Sequence, residues 1–187
     1  MKHKLLIIIL VILSLQLLFR AYQYKDNYLT KFNPDYWKAR YLHSQWVIPD
    51  SKESIGDDGL YAHAAWEYIH VKDPSLLNAE IPPFGKYLIG LTEIIFHNQN
   101  IFGLLTGIFV LISFYILNKM IFKNTLLAII PVTLLSSDPL FYNQLKAPYL
   151  DLLYLGLLMT TFIFVYKEKF LFANIFLGLM MATKASS

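Results

Sequence analysis

The chain has 187 residues, a formal net charge of +3 and no cysteine. Apolar residues make up 56% of it and charged residues 16%, whereas a soluble domain usually carries about a quarter charged residues. This composition is typical of an integral membrane protein, and so small a net charge argues against a nucleic-acid-binding protein. The absence of cysteine excludes a disulfide framework and a thiolate metal site.

Five apolar stretches predict membrane-spanning helices, because a helix needs roughly 17–25 mostly apolar residues to cross a bilayer. The first stretch, Leu5–Phe19, follows a basic start and resembles a signal peptide, but no small-residue cleavage site comes after it, which favours an anchored span. The other four are Ile101–Asn118, Leu126–Leu135 with a kink at Pro131 and an extension toward Phe141, Leu152–Tyr166 and Phe170–Ala182.

The segment Phe84–Phe96 is also apolar, but its pattern differs from that of a span. Lys86, Gly90, Glu93 and His97 recur at helical spacing and form one small or polar stripe. A helix of this kind lies in the membrane interface. With that assignment, every short basic connection falls on the cytoplasmic side, as the positive-inside rule requires.

Three regions follow from this topology. Residues 1–24 form the first transmembrane helix, residues 25–100 an external loop with interfacial helices and an acidic pair, and residues 101–187 four further transmembrane helices. The loop and the turn at residues 138–151 both face the non-cytoplasmic side. The acidic residues of interest therefore lie on one face of the membrane.

The acidic pair Asp57 and Asp58 opens a predicted amphipathic helix. Adjacent carboxylates can act as a general base or hold a divalent metal. An aspartate before a helix can also be its N-cap. The two interpretations are compatible, because only one of the two residues can cap.

A double proline, Pro82-Pro83, ends one element and is followed by Lys86 in the first turn of the next helix. The Lys86 ammonium can bind phosphate in the headgroup layer. The alternative is a snorkelling lysine with no ligand. Both readings place this ammonium at the membrane surface.

A third cluster leads into the apolar stretch at Leu152. Asp151 directly precedes that span. A carboxylate at this position indicates a polar cavity, a partner such as Lys146, or a helix cap. Asp138 precedes a proline and is interpreted as a turn or helix cap. The histidines show no metal-ligand spacing, so His63, like the others, is interpreted as an ordinary loop or interface residue.

These clusters, in this order, resemble the protein O-mannosyltransferase family and the related bacterial aminoarabinose transferases. The matching positions are Asp57-Asp58, the Ile81–Lys86 segment with its Pro-Pro-Phe-Gly-Lys, the Gln144–Asp151 segment and the final Gly178–Lys184 stretch. The resemblance implies an all-α integral membrane protein, the N-terminal portion of a GT-C-type multi-span helical bundle. Because such enzymes are longer, the chain is predicted to be a fragment that is inactive alone.

The resemblance also implies an activity in the cell membrane. A sugar, mannose or a related hexose, passes from polyprenyl or dolichyl phosphate to a protein or glycolipid hydroxyl on the non-cytoplasmic face. Asp57 would act as the base, Lys86 and Lys146 would contact the lipid phosphate, and Asp58 and Asp151 would hold the site or a divalent metal. The open alternative is a non-catalytic membrane protein, namely a truncated remnant, a scaffold or part of a transporter.

Overall fold

The computed structural model describes residues 2–185, and this part of the chain is helical. Within it no strand is found, and Ser44 and Glu53 form an isolated β-bridge. A 3-10 turn covers Pro74–Leu76. The helices are α1 (Lys2–Gln23), α2 (Lys25–Leu29), α3 (Pro34–Leu42), α4 (Asp57–Ile69), α5 (Phe84–Phe96), α6 (Ile101–Phe122), α7 (Thr125–Ser137), α8 (Pro139–Leu145), α9 (Asp151–Tyr166) and α10 (Phe170–Thr183).

Two helices are long and apolar enough to cross a membrane, namely α1 over Lys4–Gln23 and α6. The pair α7 and α8 meets the same criteria when taken together, but the two helices are bent by 69°. Helices α9 and α10 have 16 and 14 residues. At 1.5 Å per residue they are about 24 and about 21 Å long, shorter than a hydrocarbon core of about 30 Å. Only two of the five predicted spans therefore have spanning length as single helices.

The turn between α7 and α8 is where the chain bends. Pro131 lies inside α7 without ending it. The Asp138 carboxylate instead caps α8, accepting from the backbone N–H groups of Leu140 at 2.8 Å and Phe141 at 3.0 Å. The predicted cap at Asp138 is confirmed. The predicted extension of the apolar stretch is confirmed as far as Ser137 and ends there, because this cap starts a new helix.

Helix α5 has the bounds that its pattern predicts, Phe84–Phe96. The predicted stripe lies on one face, and there Lys86, Gly90 and Glu93 are buried. Gly90 allows the close approach of α4, because a Cβ at this position would lie 2.9 Å from the Ala65 carbonyl oxygen. The polar stripe thus packs against α4 instead of facing the headgroup layer, and most of the apolar residues on the other side of α5 are exposed, among them Tyr87, Leu91, Ile94 and Ile95.

The apolar helices pack in a bundle in which α9 lies between α6 and α10, α7 packs on α6, and α1 packs on α7. Polar side chains join them, as in other helices packed in an apolar environment. The hydroxyls of Ser113 on α6 and Thr160 on α9 are 3.2 Å apart. Gln16 on α1 donates to Ser137 Oγ on α7 at 2.9 Å.

Hydrogen bonds from α2 hold the segment after α8 in place. Asn27 Nδ2 donates to the Lys146 carbonyl oxygen at 3.1 Å, and the Tyr28 hydroxyl donates to that of Leu145 at 3.0 Å. The same segment lies against Gly103 of α6, where a Cβ would be 2.5 Å from the Ala147 carbonyl oxygen. These contacts hold the chain that leads into α9, of which Asp151 is the first residue.

Candidate active site

Asp57 and Asp58 occupy the first turn of α4, where carboxylates are favoured by the helix dipole. The N-cap residue is Gly56, and no side chain caps this helix end. The interpretation of either aspartate as the N-cap is therefore wrong. Asp57 is exposed and Asp58 partly exposed, so both carboxylates can meet a ligand.

Asp151 is the first residue of α9, and it does not cap the helix either, because Leu150 occupies the N-cap position. Its carboxylate accepts from Lys184 Nζ at 2.6 Å in a salt bridge. The two side chains are 48% and 34% exposed, so the pair is accessible to solvent. Lys184 directly follows α10 and therefore joins the two ends of the α9–α10 hairpin.

The charges of these carboxylates reach two tyrosines. Burial raises the pKa of Tyr149, and the charges of Asp58, Asp57 and Asp151 raise it further. Burial also raises the pKa of Tyr61 strongly, and again Asp57 and Asp151 add to the effect. Asp57 and Asp151 influence both phenols and Asp58 influences Tyr149, so the charges of the three predicted acids reach the same pair of tyrosines, and we call Asp57, Asp58 and Asp151 the acid cluster.

Close packing below the acid cluster explains this convergence. Gly85, at the start of α5, faces side chains from two other elements, since a Cβ there would be 2.6 Å from Leu150 Cδ2 and 3.1 Å from Thr183 Cγ2. Tyr61 and Leu150 belong to one buried apolar cluster, against which Phe84 packs. The starts of α5 and α9 and the end of α10 are thereby held beside α4.

Lys86 requires a correction. Its side chain is fully buried, at 0% exposure, and Nζ donates to the Asn78 carbonyl oxygen at 2.6 Å, the Ile81 carbonyl oxygen at 2.8 Å and the Tyr68 hydroxyl at 3.2 Å. An ammonium has three N–H donors, and all three are used inside the protein. Burial lowers the pKa of Lys86 to about 8, an effect that Glu80 opposes. The expected phosphate contact and the snorkelling alternative both disagree with this geometry, and we assign Lys86 to holding the loop before α5.

Lys146 also differs from its expected placement. Of the interpretations of Asp151, a pair with Lys146 is wrong, because the residue that pairs with Asp151 is Lys184. The contact of Lys146 with a lipid phosphate stays a prediction. Within residues 2–185, Lys146 Nζ takes part in no hydrogen bond or salt bridge, whereas its carbonyl oxygen is bound by Asn27. Lys146 therefore contributes its backbone to the fold, and Lys184 is the cation beside the acid cluster.

The described part of the chain does not form a site for the expected divalent metal. Across residues 2–185, no group of three or more His, Cys, Asp or Glu side chains comes together as metal ligands. Asp57 and Asp58 offer two adjacent carboxylates, fewer oxygen ligands than a protein-held Ca²⁺ site uses. No chemical step is therefore assigned to a metal.

An apolar cavity lies next to the acid cluster. Its volume is about 250 Å³, and its wall includes Asp151, Gln144 and several leucines, namely Leu135, Leu140, Leu152 and Leu155. Gln144 Oε1 is buried and has no hydrogen-bond partner among the described residues. The site therefore combines carboxylates, one lysine and an apolar recess.

Sequence reasoning did not single out Tyr61, Tyr149 or Lys184 as site residues. A local signal existed for the two tyrosines, since Tyr61 is one helical turn after Asp57 and Tyr149 is two residues before Asp151. Lys184 stands in the Gly178–Lys184 stretch that carries part of the family resemblance, but no local pattern gives it a role. Its contact with Asp151 spans 33 residues of sequence.

Comparisons with protein-family models, with curated proteins and with solved structures found no match to this chain. The functional assignment therefore rests on the geometry of the site and on the motifs themselves.

Proposed function

We propose that the chain carries the acceptor-activating part of a membrane glycosyltransferase that takes its sugar from polyprenyl or dolichyl phosphate. One observation carries this proposal. The Asp57-Asp58 pair and Asp151 are far apart in the sequence, yet the charges of all three reach Tyr149, and Asp151 contacts the Lys184 ammonium and lines an apolar recess. Carboxylates can accept a hydrogen bond from an acceptor hydroxyl, and the ammonium can pair with a phosphate. The apolar recess can hold the first part of an isoprenoid tail.

In the proposed reaction, the acceptor hydroxyl attacks the anomeric carbon of the sugar. Asp57 takes the hydroxyl proton, a new glycosidic bond forms, and the bond to the phosphate oxygen breaks, so that the lipid phosphate leaves with the electron pair. Lys184 replaces Lys86 as the cation that stabilises charge on the leaving phosphate. Asp58 orients the acceptor, and Asp151 orients Lys184. The hydroxyls of Tyr61 and Tyr149 stay protonated and donate hydrogen bonds.

Replacing Asp57 by asparagine should lower sugar transfer by about a hundredfold, because the amide keeps the shape but cannot accept the proton. Transfer is measured from radiolabelled polyprenyl-phosphate mannose in native membranes, in which the protein is expressed from its own gene at its natural length. Asp50→Asn removes an exposed carboxylate from the loop before α4 and should leave the rate unchanged. Equal rates for wild type and Asp57→Asn would exclude this role for Asp57, and a wild type without transfer would favour the non-catalytic alternative.

We further propose a multi-pass topology in which the acid cluster faces the non-cytoplasmic side. The chain has no cysteine, so single introduced cysteines report their side without background. Cysteines at Ser54 and Asn143, both exposed, should react with an impermeant thiol reagent added outside the cell. A cysteine at Lys167, exposed in the α9–α10 turn, should react only after permeabilisation. Opposite labelling of positions 54 and 143 would contradict a shared face.

A further inference from the structure

A second cavity lies away from the acid cluster, between α3, α4 and the 3-10 turn. Its volume is about 290 Å³, and its wall includes Lys38, Tyr41, His63 and Lys72. His63 comes two residues after Tyr61 on α4, which turns its side chain by about 200° around the helix. The cavity therefore lies on the side of α4 opposite the proposed catalytic site.

His63 is the unusual residue in this wall. It is 4% exposed, and its Nδ1 atom is buried without a hydrogen-bond partner among residues 2–185. Its ring lies 4.9 Å from the ring of Tyr41, centre to centre. A buried polar atom without a partner is costly for a folded protein, so a site that retains one can gain a hydrogen bond by binding a ligand.

Lys38 and Lys72 are the positive groups that act on His63 and Glu67 is the negative one, while Asp73 adds a second negative charge elsewhere in the cavity wall. Lys72 forms an ion pair with Glu67, so the charges of these two side chains offset each other. Lys38 Nζ takes part in no hydrogen bond or ion pair within the described residues. Burial lowers the pKa of His63, Glu67 opposes this, and Lys72 and Lys38 lower it further, so both ammonium groups act on the imidazole. Beside His63, Lys38 is therefore the ammonium with which a negatively charged group can pair.

The cavity wall also has apolar members. These are Leu42, Leu76 and Leu77, and Leu76 is 79% exposed. The acidic member of the wall, Asp73, already accepts from the backbone N–H of Ser75 at 2.8 Å. A ligand that fills this cavity needs an anionic end and an apolar end.

We propose that this cavity binds a phosphate group attached to an apolar body. The Lys38 ammonium, the Lys72 ammonium that Glu67 shares and one imidazole N–H are donor groups that match the several oxygens of a phosphate, and the two ammonium groups form charge-assisted hydrogen bonds with it. The leucines and the Tyr41 ring contact the apolar body. The phosphate belongs either to a soluble ester or to a lipid headgroup, and the two sources share this chemistry.

The test uses the full chain with ¹⁵N-labelled histidine in phosphatidylcholine nanodiscs. The His63 ring signals are identified by their loss in His63→Gln and followed by NMR during titration with phenyl phosphate. Binding should shift the NMR signals of both ring nitrogens. Lys38→Gln should weaken the binding of phenyl phosphate by about tenfold, the effect of losing one hydrogen bond to a charged group. Lys52→Gln removes an equally exposed charge that does not line the cavity and should leave binding unchanged.

The remaining titrations separate the two sources. A shift with phenyl phosphate supports a soluble ester, whereas a shift seen only when phosphatidic acid is added to the nanodisc supports a lipid headgroup. Inorganic phosphate binding as tightly as phenyl phosphate would overturn the apolar part of the proposal. The whole proposal fails if none of these probes shifts His63, or if Lys38→Gln binds them as wild type does.

Discussion

Replacing Lys86 by methionine is expected to lower the free energy of unfolding of the α2–α5 segment by about 3 kcal/mol. Methionine keeps an unbranched chain in the buried space but supplies no donor. The carbonyl oxygens of Asn78 and Ile81 then lose the ammonium that they share, and each buried carbonyl without a donor costs about 1–3 kcal/mol. The Tyr68 hydroxyl still donates to the Leu77 carbonyl oxygen, so the loss of its contact with Lys86 costs less free energy than the loss at either carbonyl.

The loss can be measured by urea unfolding followed through tryptophan fluorescence. The chain has three tryptophans, with Trp37 on α3, Trp46 in the following loop and Trp66 on α4, so the signal reports on the α2–α5 segment. Lys52→Met, which removes an exposed ammonium, is the matched control and should change stability little. If Lys86→Met unfolded like wild type yet bound lipid phosphate less tightly, the role of Lys86 as a phosphate ligand would be restored.

Replacing Glu93 by glutamine is expected to raise the free energy of unfolding at pH 7 by about 3 kcal/mol. Glu93 is 1% exposed, and neither of its carboxylate oxygens has a hydrogen-bond partner among the described residues. Burial raises the pKa of Glu93 from 4.5 to about 9. The folded protein therefore keeps the proton at neutral pH, whereas the unfolded chain releases it. Glutamine is neutral in both states and removes this difference.

The sign of the pH dependence follows from the direction of this shift. Because the pKa is higher in the folded state, the stability linked to the Glu93 proton is complete below pH 4.5 and is lost as the pH rises toward about 9. Wild type should thus lose stability relative to Glu93→Gln between these values. Other titrating groups, such as His63 and Lys86, are present in both proteins and cancel in the difference.

The same fluorescence assay, repeated at several pH values from about 5 to about 8, measures this difference. Glu53→Gln changes an exposed carboxylate and should show no such trend. A constant difference between wild type and Glu93→Gln across the range would mean that the Glu93 carboxylate is hydrated or paired in the folded protein.

Several features could be predicted from the sequence because their causes are local. The bounds of α5 follow from the periodicity of its stripe and from the preceding double proline, and the cap at Asp138 follows from one carboxylate and the next few backbone N–H groups. The spanning length of α1 and α6 depends only on consecutive apolar residues. The positions of Asp57 and Asp151 in the first turns of helices are equally local.

Tertiary structure decided what these side chains contact. The pattern of α5 marks Lys86 and Glu93 as polar, but only the packing of α4 against α5 buries them, so that Lys86 is fully bonded and Glu93 has no partner. Likewise, the choice of Lys184 over Lys146 as the partner of Asp151 depends on the α9–α10 hairpin bringing together residues that are 33 positions apart. Helical periodicity repeats every few residues and carries no information on contacts at that separation.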